Sequence, residues 1–474
     1  MKLFIIFSLV LSFNLHASLG ELAREFTDKN QGLVEKKLQI QMASLNLQAI
    51  EEKRPWTLMY SGSLTENQLD SSSSFTNQNS KTLVHSLSIL KDTIWGGKFK
   101  LENVYYHEDR DQSHSAVSFG SSTKNSYQFY QKLSYAQKLG ANFLGRKEFQ
   151  EKEAFMYSQK LAQKNFDETL SLSLLNFFEL YSRASLAKKL LSLQKEALVR
   201  AQKRTGLIRR MVKDGLRLKV DLYSSQMAEI SQKEAVITAE NDLFEALDRL
   251  SSQLHRQVSE SDIGPLKDNQ LGLPNKSIKE LEDNVTLSKL ETAIDQAQTS
   301  VKNADYSIMP DIEFEAGYKT NRIKSENDGI FDEGKLGEDK YEVVFSLNAI
   351  WPFGFGPQRA ELARQKVERK ILEYQKGAIS SSLKETEILL RKRIQHLIKN
   401  LEQAEQRVSL ARLVLKQYNQ LYDVGKKDLD QVIRSEEDLI RTETALSSYI
   451  TQKQILEASL NQMYGTLKAK LMSL

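Results

Sequence analysis

Hydrophobic positions in two long segments of the chain recur with the spacing of a coiled coil. Alternate steps of four and three residues from Leu390 to Tyr422 meet ten apolar or aromatic side chains in succession. The same steps from Leu180 to Val212, which lie 210 positions earlier, meet eight apolar side chains among ten. A sustained repeat of 3.5 residues predicts long helices that pack as coiled coils.

The two segments belong to a duplication that covers most of the chain. Pro55 and Pro310 each stand seven residues before a glycine and open a strand-like segment, and Gly215 and Gly425 mark a turn after each long segment. Such a repeat indicates that the chain consists of two similar structural units. We predict a first structural repeat over residues 18–264, a turn-rich connector over 265–276 and a second repeat over 277–474.

The absence of proline indicates where long helices run. No proline falls between residues 147 and 264 or between 358 and 474. A helix of nearly seventy residues would be roughly 100 Å long, so it spans a distance rather than filling a compact domain. We predict two helical hairpins, 146–213 with 218–257 and 357–424 with 429–467, and shorter helices at 22–53 and 277–305.

The segments between the helices alternate with the period of a β-strand. Ile312, Phe314 and Ala316 share one face and acidic residues separate them, and residues 343–347 repeat the pattern. One apolar and one mainly polar face suit the wall of a transmembrane barrel. We predict four strands per chain, or six if residues 65–127 form an extra hairpin and not a long extracellular loop.

Neither count closes a barrel in one chain. A membrane barrel has at least eight strands and no open edge, so several chains must share one. The N-terminus supports export, because Lys2 precedes a mostly apolar run over residues 3–13, and Ala17 offers a small residue after which cleavage would fit. This run is shorter than the roughly 20 residues of a spanning helix. We therefore predict a signal peptide over residues 1–17.

Composition argues against several classes of function. The 66 basic and 62 acidic residues leave a net charge of +4, which gives no footprint for nucleic acid. The chain has no cysteine, and its six histidines lie far apart, so no metal site is expected. Since no phosphate-binding loop or nucleophile motif is present either, we expect neither an enzyme nor a cofactor.

Three motifs stand at the junctions of the predicted elements. They are IWPFGFGPQRAEL after the last strand, YDVGKKDLD at the second turn and LNQMYGTL near the C-terminus. With the duplicated order of helix, strands and hairpin, they resemble the TolC-like family of outer-membrane efflux and type I secretion channels. The resemblance covers nearly the whole mature chain.

The resemblance implies a mainly α-helical fold with a transmembrane β-barrel shared between the protomers of a homotrimer, twelve strands in all. It further implies an exit duct in the outer membrane, in contact with its lipid, that has a periplasmic extension. The implied partners are a periplasmic adaptor (membrane fusion) protein and an inner-membrane pump, which together expel drugs, metals or proteins.

The resemblance also implies a gate at the two turns. Tyr422 and Asp221 occupy the family's tyrosine and aspartate positions, whereas Lys427 stands at its arginine position and Asp430 lies one residue before its acidic-ring position. Hydrogen bonds between Tyr and Asp and ion pairs between Lys and Asp would hold the gate closed, although lysine lacks the planar fork of arginine. The alternative is that these are solvated turn residues, whose exposed pairs contribute little.

The first turn also carries a basic group of six residues: Arg204, Arg209, Arg210, Lys213, Arg217 and Lys219. Four of them are candidate partner contacts: Arg209, Arg210, Lys213 and Arg217. The group is either a solvated helix end or a contact surface for an adaptor or an acidic inner-membrane partner.

Two other functions stay open at this point. A soluble periplasmic coiled-coil adaptor or scaffold would also contain long helices, although adaptors usually carry one hairpin between β-rich domains. A dedicated metal-ion exporter is a further alternative within the channel class, and the absence of Met or His clusters argues mildly against it.

Overall fold

The computed structural model describes residues 18–68, 80–110, 125–266, 270–276, 281, 284–324, 326–327, 330 and 340–474. The predicted signal peptide lies outside these residues, as does part of the predicted connector. The chain forms two compact units. We call Gln41–Leu161 with Thr292–Glu373 the sheet unit, and Met1–Ile40, Ala162–Glu291 and Tyr374–Leu474 the hairpin unit.

The sheet unit contains a six-stranded meander in which each strand pairs antiparallel with the next. Its strands are β1 (Trp56–Asn67), β2 (Ser80–Asp92), β3 (Gly97–Arg110), β4 (Asn125–Lys138), β5 (Asp311–Lys324) and β6 (Tyr341–Ile350). The first repeat thus contributes four strands and the second contributes two.

The extra pair is β2 and β3, so a hairpin and not only a loop lies within residues 65–127. Its tight turn depends on Gly96, whose φ is +74°, and on Thr93, whose backbone N donates to the Gly97 carbonyl at 2.7 Å. Six strands per chain is the larger of the two predicted counts. The twelve-stranded barrel implied by the resemblance needs four strands from each of three chains, so it does not fit this sheet.

The predicted alternation of faces is confirmed by the strand register. One row across all six strands is apolar or aromatic: Leu58, Ile89, Leu101, Leu133, Tyr318 and Val343. The adjacent row, on the opposite face, is mainly polar: Met59, Ser88, Glu102, Lys132, Lys319 and Glu342. An ion pair of 3.2 Å between Lys132 and Glu315 joins two strands on the polar face.

Eight α-helices lie in the described residues: α1 (Leu19–Lys29), α2 (Gln31–Glu51), α3 (Arg146–Lys213), α4 (Lys219–Leu254), α5 (Val285–Tyr306), α6 (Gly356–Asp423), α7 (Leu429–Met463) and α8 (Leu467–Met472). The two longest, α3 and α6, have 68 residues each, and their predicted bounds agree with the structure to within one residue. None of the helices in the described parts of the chain has the length and hydropathy to cross a bilayer.

Three predicted helices were too long. The segment 277–305 becomes an α-helix only at Val285. The segment 22–53 is interrupted at Asn30, whose backbone is extended and whose side chain accepts a hydrogen bond from the amide of Leu33 at 3.1 Å. Asparagine favours such a cap over a place inside a helix. The segment 429–467 is likewise interrupted, because Gly465 adopts a φ of +68° between α7 and α8.

The predicted heptad seam is the buried face of α6. Seven of its ten side chains are buried: Leu390, Ile394, Leu401, Ala404, Val408, Leu415 and Tyr422. Within the hairpin unit, α1 packs on α3. The rings of Phe26 and Phe177 stack there with their centroids 5.0 Å apart. Burial of these apolar side chains is what holds such long helices together.

Candidate gate at the helical turns

The two hairpin turns have the same backbone geometry. Gly215 and Gly425 adopt φ values of +71° and +75°. The amide after each glycine donates to the carbonyl five residues before it, at 2.8 Å in both turns. This is the bonding of a Schellman helix end, in which glycine avoids the strain of a left-handed backbone.

An apolar cluster joins the two hairpins next to their turns. Ile208 of α3 packs with Leu415 and Tyr422 of α6 and with Leu429 and Val432 of α7. All five side chains are buried. The repeat thus places the predicted tyrosine between the ends of the two hairpins.

Arg217, from the first turn, covers Tyr422, from the end of α6. Its guanidinium carbon lies 4.4 Å from the centre of the tyrosine ring, and its Nη2 donates to the Tyr422 carbonyl oxygen at 2.8 Å. Burial raises the pKa of the Tyr422 hydroxyl, and the positive charge of Arg217 only partly opposes this. A neutral ring under a planar cation is a favourable arrangement.

The Tyr–Asp and Lys–Asp contacts expected from the resemblance are absent from the described part of a single chain. The Tyr422 hydroxyl is buried without a hydrogen-bond partner there. Lys427 places its Nζ 5.8 Å from the centre of the Tyr418 ring. Asp430 is exposed and pairs with Arg434 on its own helix at 2.9 Å. Asp221 is half-buried in the first turn of α4.

The predicted basic group is divided by the structure. Arg209, Arg210 and Lys213 are exposed, whereas Arg217 is half-buried against Tyr422. Apolar side chains next to them are exposed as well: Leu216, Leu218 and Val424. The turns therefore present a surface that is both basic and apolar.

A buried ion pair shows that the placement of Arg204 in the exposed basic group was wrong. Arg204 of α3 donates to Glu436 of α7, and both side chains are about nine-tenths buried. On α3 and α4, the hydroxyls of Thr205 and Ser225 lie 2.9 Å apart. One sequence feature could have indicated this ion pair. Glu436 occupies a heptad position of α7, four residues after Val432, where an apolar residue is the rule.

A family model of known proteins, described as outer membrane efflux protein, matches residues 278–466. We call residues 278–466 the efflux domain, after the family whose model they match. The efflux domain contains α6, the second turn and α7, together with β5 and β6. The predicted resemblance to TolC-like outer-membrane channels is confirmed.

The chain shares its fold with solved outer-membrane channels over 94–95% of its length. The open state of MtrE from Neisseria gonorrhoeae is 16% identical, with a TM-score of 0.66, and the match covers 95% of this chain and 90% of that one. VceC from Vibrio cholerae is 14% identical, with a TM-score of 0.65 and coverage of 94% and 96%. CmeC from Campylobacter jejuni is 11% identical, with a TM-score of 0.65 and coverage of 95% and 86%. No curated protein matches the chain in sequence.

The efflux domain also decides between the predicted functions. An outer-membrane efflux channel is the function for which this family is described, and nothing favours the soluble adaptor alternative. The predicted location, the outer membrane with a periplasmic extension, agrees with this family and with the fold of the solved channels.

Proposed function

We propose that three copies of the chain form the exit duct of a tripartite efflux or type I secretion system. The duct crosses the outer membrane and the periplasm and passes its cargo without a catalytic step or a cofactor. The observation that carries the proposal is the combination of an efflux domain, two long helical hairpins and a sheet that is apolar on one face. The apolar face would contact outer-membrane lipid.

We also propose the domain bounds that the duplication suggests. A signal peptide, residues 1–17, is removed, and two repeats, 18–264 and 277–474, flank the connector 265–276. The near-identical turns at Gly215 and Gly425 and the equal lengths of α3 and α6 support this division.

The turn end is proposed to meet a periplasmic adaptor and an inner-membrane pump. Arg209, Arg210 and Lys213 offer positive charge, and Leu216 and Leu218 offer apolar area that is 72% exposed at each residue. Interfaces commonly combine an apolar centre with charged groups that steer the partner. Arg217 is less available for this role, because it is engaged with Tyr422.

The gate is proposed to include Asp221, Tyr422, Lys427 and Asp430. Within one chain, the contact between Arg217 and Tyr422 ties the first turn to α6. The carboxylates of Asp221 and Asp430 and the ammonium of Lys427 remain partly or fully exposed, so they can meet a neighbouring copy. Separation of these contacts by a docked partner would open the duct.

The mass of the detergent-extracted mature protein tests this function. Light scattering with the detergent contribution subtracted should give three times the mass of the mature chain, and the same sample should form ion-conducting channels in planar bilayers. A monomer that is soluble without detergent and does not conduct would contradict the proposal.

A further inference from the structure

The sheet ends in two strands that have a neighbour on one side only. β1 and β6 are first and last in the strand order. Leu58 of β1 and Phe345 of β6 are 68% and 71% exposed, whereas Ile89 and Leu133 on the same face of inner strands are 38% and 48% exposed. Among the described residues, the outer strands thus lack the cover that each inner strand receives from two neighbours.

Neither outer edge has the features that protect a free strand in soluble proteins. Such edges are usually short or carry proline, lysine or a bulge. β1 has 12 residues and β6 has 10, and Glu66 and Glu342 are their only charged residues. Neither strand contains proline or lysine. In a bilayer, moreover, the unpaired backbone groups of an open edge would have no water to bind. Each edge therefore requires another strand.

We infer that β6 of each copy pairs with β1 of the next copy, so that three copies close a barrel of eighteen strands. Since each copy contributes six strands in alternating directions, β6 and the following β1 run antiparallel, as all other neighbours do. The contact joins two different edges, so it repeats around a ring until the ring closes. The inference rests on the trimer of the proposed function and identifies the β2–β3 hairpin as the element that sets the barrel width.

The strand count determines how wide the duct is within the membrane. With a strand spacing of about 4.8 Å and a tilt of about 40°, eighteen strands give a barrel about 36 Å across between backbones, and twelve give about 24 Å. Natural barrels of 16 to 18 strands hold a water-filled channel. The barrel would therefore admit large solutes, which leaves the selection of cargo to other parts of the system.

Disulfide cross-linking tests the strand pairing directly, because the chain has no cysteine of its own. Ser61→Cys, on the polar face of β1, would be combined in three separate variants with Val344→Cys, Ser346→Cys or Asn348→Cys, on the polar face of β6. These three sample successive registers that keep the two polar faces on the same side of the sheet. One variant should give covalent dimers and trimers on a non-reducing gel of outer membranes, and reductant should remove them. Ser61→Cys with Phe345→Cys, on opposite faces, is the matched control and should give none.

Deletion of the hairpin tests the width. The register aligns Glu66 with Lys81, Lys81 with Asp109 and Asp109 with Asn125. Removal of residues 69–124 together with Gln68→Gly would therefore set Glu66 opposite Asn125 across a two-residue Asn-Gly turn, which suits a hairpin. β1 and β4 would pair directly, with strand directions unchanged, and three copies would close twelve strands.

The readout is the size of neutral polymers that enter the channel from the outer side of a planar bilayer. The largest radius admitted should fall by at least about 1.5-fold in the deletion variant, because the backbone diameters differ by that ratio and side chains narrow both barrels equally. A trimer in which none of the three cysteine pairs cross-links would overturn the inference and leave the proposed function in place. Cross-linking that goes to completion at a dimer and gives no trimer would indicate a ring of two copies with twelve strands and would overturn the count of eighteen. A monomer in detergent would instead contradict the proposed function itself.

Discussion

Replacement of Arg217 by alanine should release the first turn from α6 and favour the open state of the channel. The variant loses the contact of the guanidinium with the Tyr422 ring, at 4.4 Å, and the hydrogen bond to the Tyr422 carbonyl, at 2.8 Å. The first contributes about 1 kcal/mol and the second about 1.5 kcal/mol. About 0.5 kcal/mol is regained because the arginine side chain is no longer ordered. The net loss of about 2 kcal/mol corresponds to a roughly 30-fold change in the ratio of tied to released turns.

Single-channel recording in planar bilayers measures this ratio through the time spent in the low-conductance state. Arg217→Ala should shorten that time strongly, and Arg217→Lys should have an intermediate effect, because lysine keeps the charge but not the planar fork. Arg210→Ala is the matched control, since Arg210 is exposed in the same basic group and its loss removes the same charge. If the Arg217→Ala and Arg210→Ala channels behave alike, the contact with Tyr422 does not hold the turns.

Three further predictions follow from local geometry. Tyr422→Phe should leave closure unchanged and keep or slightly raise thermal stability, because the buried hydroxyl has no partner in the described chain; a clear rise in conductance would show that the hydroxyl matters. Gly425→Ala should lower the free energy of unfolding by about 1 kcal/mol through its φ of +75°, whereas Gly206→Ala, inside α3, should raise it by about 1 kcal/mol; equal shifts in thermal melts would refute this. Burial raises the pKa of Glu25, but its hydrogen bonds and its 2.9 Å ion pair with Arg256 outweigh this and lower the pKa overall. The resulting stabilisation is present above the ordinary pKa of a glutamate and is lost as the pH falls through the lowered value, so acid melts of Arg256→Gln should show a weaker pH dependence than those of the parent chain.

The long helices and their turns were predictable because one local signal, the heptad seam, runs uninterrupted for many turns. Proline-free segments and a glycine at each end set the bounds of α3 and α6 to within one residue. Shorter elements were less predictable, because a single residue decides them. Asn30 caps a new helix in a segment that is otherwise helical in pattern, and Gly465 separates α7 from α8.

Contacts at the candidate gate were harder to predict, because they join residues that are distant in sequence. Arg217 and Tyr422 are 205 positions apart, and nothing near either residue indicates the other. Their contact depends on how the two hairpins pack around Ile208 and Leu415. The resemblance placed an arginine at the second turn, where this chain has Lys427, and the structure shows an arginine of the first turn, at the equivalent position, in contact with the tyrosine. The duplicated backbone allows either turn to supply that side chain.

Strands β2 and β3 enter the first repeat as a pair, and the pairing limits how such a barrel can vary. One strand added before β4 would reverse the direction of β4, so the chain would leave β4 at the edge of the sheet opposite to the one where β1 begins. The helix after β4 would then start on the outer side of the membrane and not on the side from which the chain enters β1. Each added or removed hairpin changes the strand number by two per copy and therefore by six per trimer. The next smaller and next larger barrels of this kind would have twelve and twenty-four strands. Pore size becomes a discrete property, set by the number of hairpins inserted and not by gradual adjustment of side chains.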